Sequence, residues 1–288
     1  MTPTTPSPAR TDHDPDAPGG PAAGTAAAMP GPRPTQATAR AGTAAAMPGP
    51  RPTQATARVI PAADPPQPPT AAAPPVVTAA LAPPAGWAAE AVAAVRRDPS
   101  TLATHLAWAA RRTSREALRP ATDPGGTVHG TVADAARAAL VVAAFDSGLD
   151  PAALAGELRD RYREGDSGER RGVLRGLDAL TVRGPLPPEL VAAGRELAAD
   201  ALRTNDPSLV AAATGPFAAA HLDQHTWRHA VVKLVFQQVS LDAVAGLTER
   251  ADAELARMAG DLAAERRAAG RTVPDDLARI AGPRNQES

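Results

Sequence analysis

Residues 221–238, HLDQHTWRHAVVKLVFQQ, decide the fold class. Placed on a helical wheel at about 100° per residue, Trp227, Ala230, Val231, Leu234 and Val235 share one apolar face. His221, His225, His229, Lys233 and Gln237 follow one another at every fourth position, so they form a second row stacked along the same helix. A stretch of this kind has one face to bury and another to leave polar. No sustained alternation of period two competes with that reading.

The same spacing extends outward on both sides. From Trp87 onward apolar residues recur every three to four positions, predicting helices over 87–97, 99–117, 131–145, 150–163, 167–180, 187–203, 207–219, 222–238, 252–269 and 274–281. Asp98-Pro99, Asp150-Pro151 and Asp206-Pro207 each set an acidic cap before a proline suited to a first helical turn. Breaks are expected at Asp123-Pro124-Gly125-Gly126, at Gly184-Pro185 and near Gly270. Alanine dominates the helix faces and permits close approach. The expectation is an all-α protein of successive antiparallel helix pairs, in the manner of a short HEAT- or armadillo-like stack.

Residues 1–85 read differently. They hold 21 of the 32 prolines and no Phe, Tyr or Trp, so they cannot bury enough apolar surface to offset the entropy of ordering. A disordered Pro/Ala/Thr-rich tail is expected there. Residues 23–40 recur letter for letter at 41–58, a tandem duplication with no apolar face to stack. The folded part is expected over 86–283, with 284–288 as a short C-terminal tail.

From residue 86 onward there are 25 basic and 27 acidic residues, a balance that argues against a nucleic-acid or anionic-membrane surface. The chain has no cysteine, which excludes disulfides, thiolate metal ligands and a cysteine nucleophile. No signal peptide and no apolar run of membrane-spanning length are read, so a cytoplasmic protein is expected. No cofactor-binding motif is recognisable.

Lys233 is the only lysine among 30 Lys and Arg residues. In a chain whose default cation is arginine, it marks a position that wants a compact ammonium rather than a planar fork. With Val232 and Phe236 beside it, Lys233 needs a carboxylate or an anionic ligand if it is buried. Asp252 and Glu254 are candidate partners. Arg203-Thr204-Asn205-Asp206-Pro207 ends one helix and begins the next; Asp206 suits an N-cap and Asn205 a left-handed closing residue. The functional alternative is that both project into a pocket shared with Lys233.

His221, His225 and His229 are the candidate metal ligands, because imidazoles at i and i+4 can share an ion. Three in one straight row reach poorly around a tetrahedral metal, and a solvated or partner-facing row is the favoured reading. Arg250 with Glu254 and Glu254 with Arg257 are expected to neutralise one another. Arg111, Arg112 and Arg115 are a further candidate anion site, with a solvated face as the alternative.

The order of motifs resembles one family. It runs from Glu169-Arg170-Arg171 to Arg175, then Leu202 to Asp206, Gly215-Pro216-Phe217, Trp227 to Phe236, Gly246-Leu247 and Ala251 to Met258. With the tail Glu265 to Pro274, this is similar to the EboA-domain family over about 87–282, most strongly after residue 195. Trp108 to Arg112 and Asp134 to Arg137 match more loosely. The resemblance implies a helical cytoplasmic protein encoded in the bacterial ebo cluster, which is associated with the traffic or export of a secondary metabolite. It supplies no catalytic mechanism. Its motif positions correspond here to Asn205, Asp206, Lys233, Phe236, Asp252 and Glu254.

Three functions follow as expectations. The leading one is a non-catalytic accessory protein that binds a metabolite or another ebo-cluster protein through Lys233, Asn205, Asp206, His229, Phe236, Asp252 and Glu254. The second is an enzyme acting on a polar, phosphorylated or prenylated intermediate through Lys233. The third is a helical scaffold in which these residues only form internal ion pairs.

Overall fold

The computed structural model describes residues 73–281. Its helices are α1 Pro75–Leu81, α2 Trp87–Arg97, α3 Leu102–Arg112, α4 Val132–Asp146, α5 Pro151–Glu164, α6 Ser167–Arg183 and α7 Pro188–Arg203. They continue with α8 Pro207–Ala212, α9 Pro216–His221, α10 Gln224–Phe236, α11 Leu247–Arg250, α12 Ala253–Ala268 and α13 Asp275–Ala281. Short 3-10 turns fill Pro99–Thr101 and Leu241–Ala243. The class is all-α; among the described residues the only β contact outside a strand is a bridge between Ala117 and Thr131.

Helix starts follow the acidic signals. Asp150 caps α5 through the amides of Ala152 and Ala153, and Asp206 caps α8 through those of Ser208 and Leu209. α4 and α6 carry reciprocal capping boxes, Thr131 with Asp134 and Asp166 with Glu169.

Two of these helices make the centre. α4 is buried from Ala133 to Ala144, including Asp134 and Arg137, and α6 from Gly172 to Thr181. Glycine lets them meet. A β-carbon on Gly172 would lie 2.5 Å from Cβ of Arg137, and one on Gly176 would lie 2.4 Å from Cβ of Val141. Gly168, one turn earlier, lies under the Arg137 guanidinium. The fourfold spacing of 168, 172 and 176 therefore makes a groove along α6 into which α4 settles. α1, α2 and α3 cover α4, while α6 also packs against α3, α5, α7, α8 and α9. Neighbouring helices pair in α2–α3, α5–α6 and α6–α7, but the contacts of α6 reach well beyond its neighbours in the chain.

Several expectations change. The helix foreseen over 99–117 stops at Arg112. Residues 113–131 then form an irregular segment that satisfies the start of α4: Val132 donates to the Glu116 carbonyl and Ala133 to that of Ser114. Buried Asp123 ties this segment down by accepting from the amides of Thr127, Val128 and His129. The helix foreseen over 207–219 is two, broken at Gly215-Pro216, since proline cannot donate into a continuing helix.

The folded part also begins earlier than residue 86. α1 lies within the expected tail, yet its Val76 and Val77 are fully buried. Two adjacent valines supply the apolar surface that the surrounding Pro and Ala lack. The expected disorder of residues 1–72, the duplication at 23–40 and 41–58, and the tail 284–288 lie outside the described residues.

Candidate functional site

α10 buries the face expected of it: Trp227, Ala230, Val231, Leu234 and Val235 are all inside. Lys233 leans off that face toward the end of α7. Its Nζ donates to the carbonyls of Leu202 at 2.6 Å and Thr204 at 2.7 Å. The last carbonyls of a helix have no intrahelical donor, and they carry the negative end of the macrodipole. An ammonium placed there satisfies both. The partners of Lys233 are therefore backbone oxygens, where the sequence pointed to Asp252 or Glu254.

That contact brings Lys233 beside the Arg203–Pro207 junction. Asn205 is exposed. Asp206 accepts from the Ser167 hydroxyl as well as from Ser208 and Leu209. Partial burial pushes its carboxyl up, but these donors outweigh burial and hold it below the ordinary aspartate value. Ser167 and Asp206 thereby join the start of α6 to the start of α8.

The histidine row is not continuous. His221 closes α9 and packs on Phe217, with ring centroids 4.8 Å apart. Leu222 and Asp223 intervene before α10 starts, because the Asp223 cap ends one helix and opens the next. His225 and His229 do meet, with ring centroids 4.4 Å apart and the rings tilted by 60°, on the exposed flank of α10. Phe236, 60% exposed, lies one turn beyond Lys233 on that flank. Among the described residues no group of three or more His, Cys, Asp or Glu is arranged to hold a metal.

Asp252 and Glu254 go elsewhere. Asp252 caps α12 and pairs with Arg228, whose guanidinium holds its carboxyl well below the usual aspartate range. Glu254 pairs with Arg257 as expected, at 2.7 Å. The expected Arg250–Glu254 pair is absent. Arg250 instead turns back to the end of α9, donating to the carbonyls of Ala218, Ala219 and Leu222, while its guanidinium covers the Trp227 ring at 4.9 Å. Arg228 and Gln224 lie on the opposite flank of α10 from Lys233, so the seven foreseen site residues divide into two groups. Asn205, Asp206, Lys233, His229 and Phe236 form one; Asp252 and Glu254 form the other.

Sequence reasoning missed a buried ionic chain on the central pair. Asp134, 1% exposed, pairs with Arg171 at 3.2 Å and lies 3.9 Å from Arg137. Arg171 continues to the Ser208 hydroxyl at 3.1 Å, reaching the α8 cap. Deeper in α6, Arg175 pairs with Asp178 at 3.3 Å and donates to the Val128 carbonyl. Asp178 also accepts from the Phe217 amide at 2.9 Å. Full burial pushes the Asp178 carboxyl up to about 6, against the opposing pull of Arg175 and the Phe217 amide. The available signal was Asp134 and Arg137 inside an otherwise apolar helix, opposite Arg171 and Arg175 at fourfold spacing.

The fold and these contacts define an all-helical domain whose central charges are held in ion pairs and whose helix ends are closed by side-chain cations. No described helix is long and apolar enough to cross a membrane. Over residues 126–282 the chain matches the family described as metabolite traffic protein EboA, and it belongs to that family. No curated protein and no solved structure matches it.

Proposed function

We propose that this chain is a non-catalytic accessory protein of secondary-metabolite traffic, acting in the cytoplasm. On this reading it binds a metabolite or a partner protein through the flank formed by Asn205, Lys233, His229 and Phe236. The observation that carries the reading is Phe236, a large aromatic left 60% exposed beside a polar junction in a chain with only three phenylalanines. A large side chain that a partner can desolvate is a common anchor of a recognition surface. Lys233 fixes the junction rather than offering a free amine, which favours recognition over covalent chemistry. Asp252 and Glu254, on the other flank, would serve the helix cap and its ion pairs.

Native mass spectrometry of the full chain isolated from its own host tests this. A small molecule or a stoichiometric partner retained by the natural chain and lost from Phe236→Ser is the expected result. A ligand-free, partner-free mass for the natural chain would overturn the proposal, as would retention unchanged in the variant.

A further inference from the structure

A cleft of about 390 Å³ opens where the segment after α3 crosses the starts of α4 and α6. Arg115, Arg137 and Arg171 line it, with Asp166, Ser167 and Gly168 from the first turn of α6. Two features are unexplained by packing. Arg137 is 3% exposed, and its Nε donates to the Leu106 carbonyl at 3.1 Å, but its two terminal nitrogens hydrogen-bond to nothing among the described residues. The nearest carboxylate oxygen, on Asp134, lies 3.9 Å away, beyond hydrogen-bonding distance. Burial without full compensation also lowers the Arg137 pKa, chiefly through desolvation. The two terminal nitrogens are not sealed in the core; they open into the cleft, which thereby offers guanidinium donors to an incoming acceptor.

The second feature is the surroundings of Arg137. A β-carbon on Gly168 would come within 3.0 Å of its Nη1, so the guanidinium lies directly over the opening turn of α6. The amides of Ser167 and Gly168 donate to no group among the described residues. Arg115 has no ion-pair partner among them either, and it stands exposed at the mouth. The acids nearby are engaged: Asp134 with Arg171 and the Thr131 amide, Asp166 with the Glu169 amide, Glu169 with that of Asp166. Their charges balance those of the three arginines, so the cleft offers directed donors rather than a large positive field.

We infer that this cleft binds the phosphoryl group of a small soluble metabolite, held by Arg137, Arg171 and Arg115 and by the open amides of Ser167 and Gly168. The donors arrive from three sides, on α4, on α6 and on the segment after α3. That arrangement suits a tetrahedral oxyanion better than a planar carboxylate, and guanidinium groups with a helix start are established phosphate donors. The cleft is larger than a phosphate, leaving room for the body of the metabolite. The inference goes beyond the surface reading above and does not need the Phe236 flank.

Titration calorimetry of the full chain with inorganic phosphate and with glycerol 3-phosphate tests it, against sodium chloride and acetate at matched ionic strength. Saturable binding of both phosphates is expected. Arg115→Gln, an exposed position, should keep the melting temperature and weaken phosphate binding by roughly tenfold. Arg137→Lys should weaken it as well, because an ammonium lacks the fork. Phe236→Ser should leave phosphate binding intact, which separates this site from the recognition flank. Absence of saturable binding would overturn the inference, as would equal binding of acetate or an unchanged affinity in Arg115→Gln. Retention only on vesicles containing phosphatidic acid, without response to glycerol 3-phosphate, would overturn the soluble ligand.

Discussion

Lys233 closes a helix it does not belong to: its Nζ, carried on α10, lies 2.6 Å from the carbonyl oxygen of Leu202 near the end of α7. Hydrogen bonds involving a charged group contribute about 1.5–3 kcal/mol each, and lost partners leave carbonyls unsatisfied. Lys233→Met should therefore lower unfolding stability by roughly 2–3 kcal/mol, read from urea titration. A loss below about 0.5 kcal/mol, the range of an ordinary surface change, would show that the cap is not structural.

Arg250 performs the same office for α9, but by a fork. It reaches the carbonyls of Ala218, Ala219 and Leu222 and also the Gln224 side chain. A lysine has one nitrogen and cannot reproduce this set. Arg250→Lys should cost on the order of 2 kcal/mol, visible as a lower midpoint in denaturant. An unchanged midpoint would contradict the role.

Gly176 faces Val141 with no room for a methyl group. Its neighbour is a β-branched side chain at Cβ, which cannot swing aside. Gly176→Ala gains helix propensity of about 1 kcal/mol, yet overpacking typically costs about 1–3 kcal/mol and should win. Differential scanning calorimetry of the variant should show a lower melting temperature. A rise would mean that α4 and α6 separate without penalty.

Asp178 should leave a signature in pH. Its carboxyl is raised from 3.8 to about 6 in the folded chain by burial. A carboxyl raised on folding contributes stability that is fully present below its unfolded value and is lost as pH rises through its folded one. Asp178→Asn cannot titrate, so the natural chain should lose stability relative to the variant between about pH 4 and pH 6, by up to a few kcal/mol, and then level off. Asp206 acts oppositely: depressed on folding, it contributes above its ordinary value of 3.8 and loses that contribution as pH falls below it. A flat difference between the two chains from pH 4 to pH 7 would show that Asp178 is not strained by burial.

The all-α class was legible because α10 repeats Trp227, Val231 and Leu234 on one face with nothing at period two, and these three are fully buried. Start positions were legible because an aspartate before proline caps locally, needing no tertiary partner, as at Asp150 and Asp206. What failed depends on distance. The end of α3 at Arg112 is set by Ser114 and Glu116 accepting from α4, some eighteen residues on. α1 hid in Pro-rich sequence because composition averages over Val76 and Val77.

The site was legible in part. Lys233, singled out as the lone lysine, does meet the junction before Asn205 through the Thr204 carbonyl. Spacing along one helix could not reveal that its partners would be carbonyls of another. Nor could it place Arg137 over Gly168, since that contact exists only once α4 lies in the glycine groove of α6.

The family match begins at residue 126, whereas α1, α2 and α3, which cover α4, all precede it. The start of the family match and the start of the helices that cover α4 are thus about fifty residues apart. A chain cut at 126 would present the alanines and valines of α4 to water as a sticky face, and would associate with its own kind there.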